Sequence, residues 1–290
     1  MSRLFIINPI SGGLQSSLLR HIVRNVAARM PDAEIVNTEH AGHAHELAAA
    51  AAENGIDTVV AVGGDGTVNE VASALVGTRT ALGIIPIGSG NGLARHLHIP
   101  LLPIEAIKNV QERQPIAIDS ATINGKRFFC TAGIGFDAQV AADYANAGTR
   151  GLLTYAKEAV EDWTAYEPDE YAIETEEGVV HTSALLITCG NANQWGNDFY
   201  ITPHASLQDG KLDIAIVKPA SLHSNFKMLH QLRSGTLDTN PDVVFLKSSF
   251  ANIERQSEGP AHFDGEETEL GKRISLECNP GSLLVIPGRE

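Results

Sequence analysis

Residues 63–71 read "GGDGTVNEV" and follow the apolar run "TVVAV" at 58–62. Three glycines around one carboxylate, Asp65, at the end of a strand suit three tasks: holding a phosphate, holding a metal, or turning a tight corner. Two further segments are of the same kind, "NPISGG" at 8–13 and "PIGSGNG" at 86–92. Glycine lets the backbone approach an anion with no Cβ in the way. In open α/β sheets, ligands sit beyond the carboxyl ends of strands, where loops run into helix N-termini with unpaired N–H groups. Three glycine-bearing ends on one sheet edge favour a phosphate site over three unrelated turns. Asp65 refines that reading, because a carboxylate inside a phosphate cradle repels the ligand unless a divalent cation lies between them. The motif therefore favours Mg²⁺ together with phosphate. The alternative is that Asp65 caps a helix beginning at Thr67, and it can do both.

Two acidic turns lie further along the chain. "LQDGKLD" places Asp209 and Asp213 around a glycine turn, a pattern that suits a Ca²⁺- or Mg²⁺-like site, although an Asp-Gly turn alone needs no metal. "HFDGEE" places Asp264 and Glu266 two apart, on one side if the segment is extended. Such a pair can act as a general base and a metal or network partner, and it equally suits a charged hairpin tip. His40, His43 and His45 in "HAGHAH" lack the spacing that puts two ligands on one helix face, so they favour a polar helix entrance over a metal site. No Walker sequence occurs, since "GEETELGKR" has the wrong glycine spacing and no Ser or Thr after Lys272. "GIGFDA" at 133–138 formally matches a dinucleotide fingerprint but follows a hairpin pattern, which makes it weak. No GxSxG nucleophile elbow is present.

The elements that must position these residues fall into two patterns. Residues 1–113 alternate short Ile/Val-rich runs with helix-length segments, which predicts βαβ units and a parallel sheet. From about Ile116 the pattern is β-rich, with hairpins predicted at Asn124-Gly125 and at Gly178 and helices only around 137–163 and 221–234. This predicts an α/β domain at 1–118 and a β-rich domain at 119–290, the last residues being able to pack back on the first domain. A cleft between unlike domains is a common place for a small ligand.

Composition bounds the partners. The chain has 290 residues, 43% hydrophobic and 19% charged, enough to bury a sizeable core. Its formal net charge of −14 argues against nucleic acid as a partner and against wholesale adsorption to anionic membrane. Cys130, Cys189 and Cys278 are widely spaced and fit neither a disulfide framework nor a zinc site, which suggests a reducing, cytoplasmic setting. Neither a signal peptide nor a membrane span is predicted. The stretch 218–235 has Lys218, Lys227 and Arg233, no acidic residue, and Leu222, Phe226, Leu229 and Leu232 at helical spacing. A core-facing helix with a solvated face is the preferred reading; a helix that touches membrane is the other.

Together, "GGDGTVNEV", "PIGSGNGLARHL", "GIGFDA", "DGKLDIAIV" and "FDGEE", in this order, resemble the diacylglycerol kinase catalytic-domain family, especially its soluble bacterial lipid kinases. "GGDGT" alone is shared with NAD kinases and phosphofructokinases; the later motifs select the lipid kinase branch. The resemblance implies an α/β nucleotide domain with a parallel sheet, a β-rich sandwich-like C-terminal domain that takes a lipid, and ATP- and Mg²⁺-dependent phosphorylation of a lipid hydroxyl. It carries nucleotide contacts onto Asn8, Pro9, Ser11, Gly12, Thr38, Gly64, Asp65, Gly66, Thr67, Val68, Asn69, Glu70 and Ser89. It places the base role on Asp264, with Glu266, Asp65 and Asp119 in an acidic network, and a structural Mg²⁺ at Asp209 with the carbonyls of Ser206 and Lys211. A transient membrane-surface contact is expected through 218–235, and a homodimer is compatible with the sequence. Two positions depart from the pattern: Gly13 stands where a basic residue is frequent, and Gly92 where many bacterial members have Asp. The alternatives are a kinase for a soluble substrate such as NAD and a non-catalytic nucleotide sensor.

Overall fold

Six residues in a row, Thr58–Gly63, are buried at every position, as are the six of Ala81–Pro86. Uninterrupted burial of short apolar runs is what parallel strands covered on both faces require. In the computed structural model, which describes residues 2–12, 16–30, 32–136 and 166–289, these runs are neighbouring strands. Gly13 and the helix expected at 137–163 lie outside the described residues, as do Asp137 and Ala138 of "GIGFDA".

The chain divides into one unit of Met1–Ser120 with Pro280–Glu290 and another of Ala121–Asn279. The first runs β1 (Arg3–Ile7), α1 (Ser16–Ala27), β2 (Ala33–Asn37), α2 (His43–Glu53), β3 (Thr58–Gly63), α3 (Asp65–Leu75), β4 (Ala81–Pro86), α4 (Gly92–His96) and α5 (Pro103–Glu112). Its strands lie parallel in the order β2-β1-β3-β4, with Ile7 opposite Val62 and Gly63 opposite Pro86. Strand ends therefore align at one edge. The alanine run of α2 buries Ala44, Ala48 and Ala51, a narrow stripe at helical spacing that lets α2 pack closely on α3. Val285, at the end of the last strand, pairs parallel with Leu82 of β4.

In the second unit, β7 (Thr131–Gly135), β10 (Leu186–Gly190), β11 (Leu212–Val217), β12 (Val243–Ser248), β14 (Gly259–Phe263) and β15 (Glu266–Leu270) form an antiparallel sheet ordered β12-β11-β10-β7-β14-β15. A second antiparallel layer comprises β8 (Asp169–Thr175), β9 (Gly178–Ala184), β13 (Phe250–Arg255) and the early part of β16 (Arg273–Val285). The inward residues Ile134, Ile187, Ile214 and Ile216 of the first layer share one core with Tyr171, Ile173, Ile253, Ile274 and Leu276 of the second. That is a β-sandwich. Met228 and Leu232 of α6 (Leu222–Ser234) belong to a separate core with Leu186 and Val217.

Turn chemistry fixes the hairpins. Asn124 and Gly125, both left-handed at φ 46° and 79°, join β5 (Ile116–Ile123) to β6 (Lys126–Phe128). Asp264 and Gly265, at φ 48° and 82°, do the same between β14 and β15. Strands β8 and β9 turn at Glu176 and Glu177, with Gly178 already paired to Thr175, so that turn lies just before the glycine expected to make it.

Candidate active site

The ends of β1, β3 and β4 bring the three glycine segments together. The Asn8 side-chain amide donates to Thr67 Oγ1 at 3.0 Å, and the Asn8 carboxamide oxygen accepts the Ile10 N–H, which shapes the loop after β1. Thr38, at the end of β2, donates its N–H to the Ile7 carbonyl. The loops after β3 and β4 touch: a Cβ on Gly88 would lie 2.4 Å from Gly64 Cα, so no side chain fits there. Gly64 is the N-cap of α3 and has no side chain with which to cap it, so the start of that helix lies at the glycine-lined edge. Ser11 adjoins Gly64, its Oγ 3.4 Å from where a Gly64 Cβ would stand. Pro9, Gly12 and Ser89 are exposed along the same loops.

Asp65 has a task that neither sequence reading named. Helix α3 starts at Asp65 itself and not at Thr67, and the carboxylate caps another element: its two oxygens accept the N–H groups of Asn91 and Gly92, each at 2.8 Å. It thus pins the β3 turn to the loop that opens α4. Desolvation raises the Asp65 pKa above the ordinary carboxylate value, while these two N–H bonds and the Arg95 charge pull it back. Gly92 serves through its backbone, so the missing side chain at that position does not disturb this contact.

Other expected contacts divide similarly. The Glu70 carboxylate accepts the N–H groups of Gly42 and Ala44 and so caps α2. Val68 is a core side chain, and buried Asn69 accepts from Ser73. Gly66 and Thr67 stand in the first turn of α3, at that edge. Asp119, on β5 and 2% exposed, accepts the Gly281 N–H at 2.8 Å. A residue the sequence did not single out is Asn91, held at φ 55° with its side chain bonded to both the N–H and the carbonyl of Gly88. The signal was an Asn in a glycine run, one of the few side chains that tolerates the left-handed region.

In the second unit the Asp264 carboxylate sits in a nest of backbone donors. Oδ2 accepts from Phe129 N–H at 2.9 Å, and Oδ1 from Cys130 and Thr131 at 2.7 and 3.2 Å. Its own N–H donates to the Thr131 carbonyl. Glu266 does not share an extended segment with it: Asp264 and Gly265 are the turn itself, and exposed Glu266 opens β15 opposite Phe263. The left-handed backbone at both turn residues is the physical reason. Buried Arg255 holds the base of this hairpin, donating to the carbonyls of Gly259, Pro260, Leu270 and Gly271. Nothing in its sequence context marked it.

The Asp209 turn departs from the expected metal site. Asp209 Oδ1 accepts the Lys211 N–H at 3.1 Å, and Oδ2 lies 2.8 Å from Lys247 Nζ, which is also 3.0 Å from Asp213 Oδ2. An octahedral Mg²⁺ needs oxygen ligands at about 2.1 Å. Here both oxygens of Asp209 are engaged and an ammonium occupies its open side, so this donor set does not fit the ion. Ser206 uses its hydroxyl to accept from Gln208 N–H. Burial raises the Asp213 carboxyl above its ordinary value and Lys247 lowers it again. For Lys247, burial acts downward, but the bonds to Asp209 and Asp213 prevail and raise it.

His40, His43 and Glu46 gather at the entrance of α2, their ligand atoms within 4.8 Å, with the two imidazoles stacked. The Glu39 N–H donates to His43 Nδ1, so that nitrogen is already engaged at the helix entrance.

A parallel sheet with a glycine-lined, phosphate-suited edge, joined in one chain to a β-sandwich with an acidic turn, defines the class of NAD kinase- and diacylglycerol kinase-like folds. Residues 2–123 match the diacylglycerol kinase catalytic domain, and residues 130–287 match the YegS C-terminal NAD kinase beta sandwich-like domain. A "Probable lipid kinase YegS-like" protein of Chromohalobacter salexigens is 31% identical over 255 residues, 86% of this chain and 81% of that one. Its namesake from Klebsiella pneumoniae is 30% identical over 277 residues, 93% and 91% of the two chains. A diacylglycerol kinase structure from Bacillus anthracis has the same fold, at TM-score 0.77 and 24% identity over 99% of this chain and 97% of its own. An Archaeoglobus fulgidus NAD kinase shares the fold more distantly, at TM-score 0.53 and 11% identity over 99% and 94%. The chain belongs to the diacylglycerol kinase catalytic-domain family, in its YegS-like branch, and is a kinase.

Proposed function

We propose that the protein phosphorylates a lipid hydroxyl, of a diacylglycerol-like or sphingoid-like lipid, from ATP with Mg²⁺. The observation that carries this reading is the glycine-capped N-terminus of α3 at an edge lined by Asn8, Ser11, Gly64 and Gly88, in a chain of this family. ATP supplies the phosphoryl group, and the ion it carries neutralises charge on the phosphates. The backbone at Gly12, Gly64, Gly66, Thr67 and Ser89 would hold the phosphates, and Thr38 at the end of β2 would border the nucleotide. Asp65 keeps the β3 and β4 loops in register for that contact.

Asp264 is proposed to orient the attacking hydroxyl and receive its proton. Three backbone donors fix the position of its carboxylate, which would accept a hydrogen bond from the hydroxyl and take its proton as the new O–P bond forms. A carboxylate fixed in this way suits a loose phosphoryl-transfer transition state, in which positioning matters more than early deprotonation. Asp264→Asn, assayed with labelled ATP and lipid extract, should lose about 10²- to 10⁴-fold in kcat while nucleotide KM changes little. Full activity in that variant removes Asp264 from the role.

A further inference from the structure

The family resemblance asks for a magnesium ion at Asp209, and the residues around Asp209 answer with a lysine. Asp209 lies in the turn before β11, which orders itself through Gly210 at φ 70° and the bond from Lys211 N–H to Asp209 Oδ1. Asp213 follows on β11 directly opposite Lys247 on β12. The antiparallel register therefore delivers Nζ to both carboxylates at once, at 2.8 Å from Asp209 and 3.0 Å from Asp213. The Asp213 side chain is 10% exposed and those of Asp209 and Lys247 are 32% and 40%, so the pairing is partly withdrawn from water. Lys211, whose carbonyl was a candidate ligand, turns its own ammonium to Glu176, 3.5 Å away.

We propose that Lys247 is a built-in cation that replaces a divalent ion at this turn, so that the second unit folds without the metal. Two carboxylates brought together by a turn and a strand repel each other unless a positive charge separates them, and either an ion or an ammonium serves. The covalent cation needs no free metal and cannot be chelated. Replacing it with an uncharged side chain of similar length should turn the position into a metal site: two carboxylates and room where Nζ stood.

The test is thermal unfolding without nucleotide or lipid, with EDTA or with millimolar MgCl₂ or CaCl₂, on the wild type, Lys247→Met, Asp209→Asn and Lys247→Met/Asp209→Asn. The wild type should unfold at the same temperature in every buffer. Lys247→Met should lose about 5 °C in EDTA, a size expected when one partner of a half-buried pair is removed from a chain of this length, and recover much of it with divalent ion. The double variant should show no recovery. A wild type that gains stability from Mg²⁺ or Ca²⁺, where Asp209→Asn does not, overturns the proposal because the ion then displaces the lysine. So does Lys247→Met that gains nothing from either ion. Neither readout depends on phosphoryl transfer, so failure here is distinct from failure of the kinase reading.

Discussion

Asp65 carries a structural task that its place in a glycine turn does not announce. Its carboxylate joins two loops by accepting the N–H groups of Asn91 and Gly92, so Asp65→Ala leaves both donors without that partner and should cost about 3 kcal/mol in urea unfolding. Desolvation places the folded-state pKa above the unfolded one. Between those two values the folded protein binds the proton more tightly, so stability attributable to this group is highest at low pH and falls as pH rises through the folded value. Wild-type stability measured against Asp65→Asn should therefore decline from acid toward neutral pH; a rising difference contradicts the assignment. The sequence revealed that a carboxylate stands in the glycine turn, but its partners lie 26 and 27 positions away, a relation that spacing does not encode. Lys247 was illegible for the same reason, since only the register of β11 against β12 brings it to Asp209 and Asp213.

Elements were easier to foresee than contacts. The alternation of apolar runs and helical segments in the first half, and the Asn-Gly turn in the second, are local signals, and both appear as parallel strands and a left-handed hairpin. The Asp264-Gly265 turn carried the same local signal but competed with a reading of Asp264 and Glu266 as an extended pair; backbone twist in a two-residue hairpin decided it. Two glycine substitutions separate the forces at work. Gly88→Ala drives a Cβ to 2.4 Å from Gly64 Cα and should cost about 1–3 kcal/mol while raising the nucleotide KM. Gly265→Ala meets open space, so its cost, about 1 kcal/mol, should come from the left-handed backbone alone and leave nucleotide KM unchanged. Equal KM in Gly88→Ala and wild type would detach the loop contact from nucleotide binding.

For the whole molecule, the central tension is a chain of net charge −14 proposed to act on lipid. Among the described residues no helix is long and apolar enough to cross a membrane. The proposed contact is α6, where Phe226 is 54% exposed beside exposed Lys227, while Arg233 stacks on Phe199 and donates to the Asn197 carbonyl. Part of the basic stripe legible in the sequence is thus tied down, and only its outer residues are left to meet lipid. Phe226→Ala/Lys227→Ala should reduce sedimentation with anionic phospholipid vesicles several-fold and leave the unfolding temperature nearly unchanged; equal sedimentation counts against α6 as the contact.

The most direct measurement is incubation of the purified protein with γ-labelled ATP, Mg²⁺ and a total lipid extract, followed by mass identification of the labelled product, with NAD and other soluble acceptors in parallel. The account predicts a labelled phospholipid that Asp264→Asn forms at least 10²-fold more slowly. Label that reaches only a soluble acceptor, or nucleotide that binds and never turns over on any extract, contradicts it.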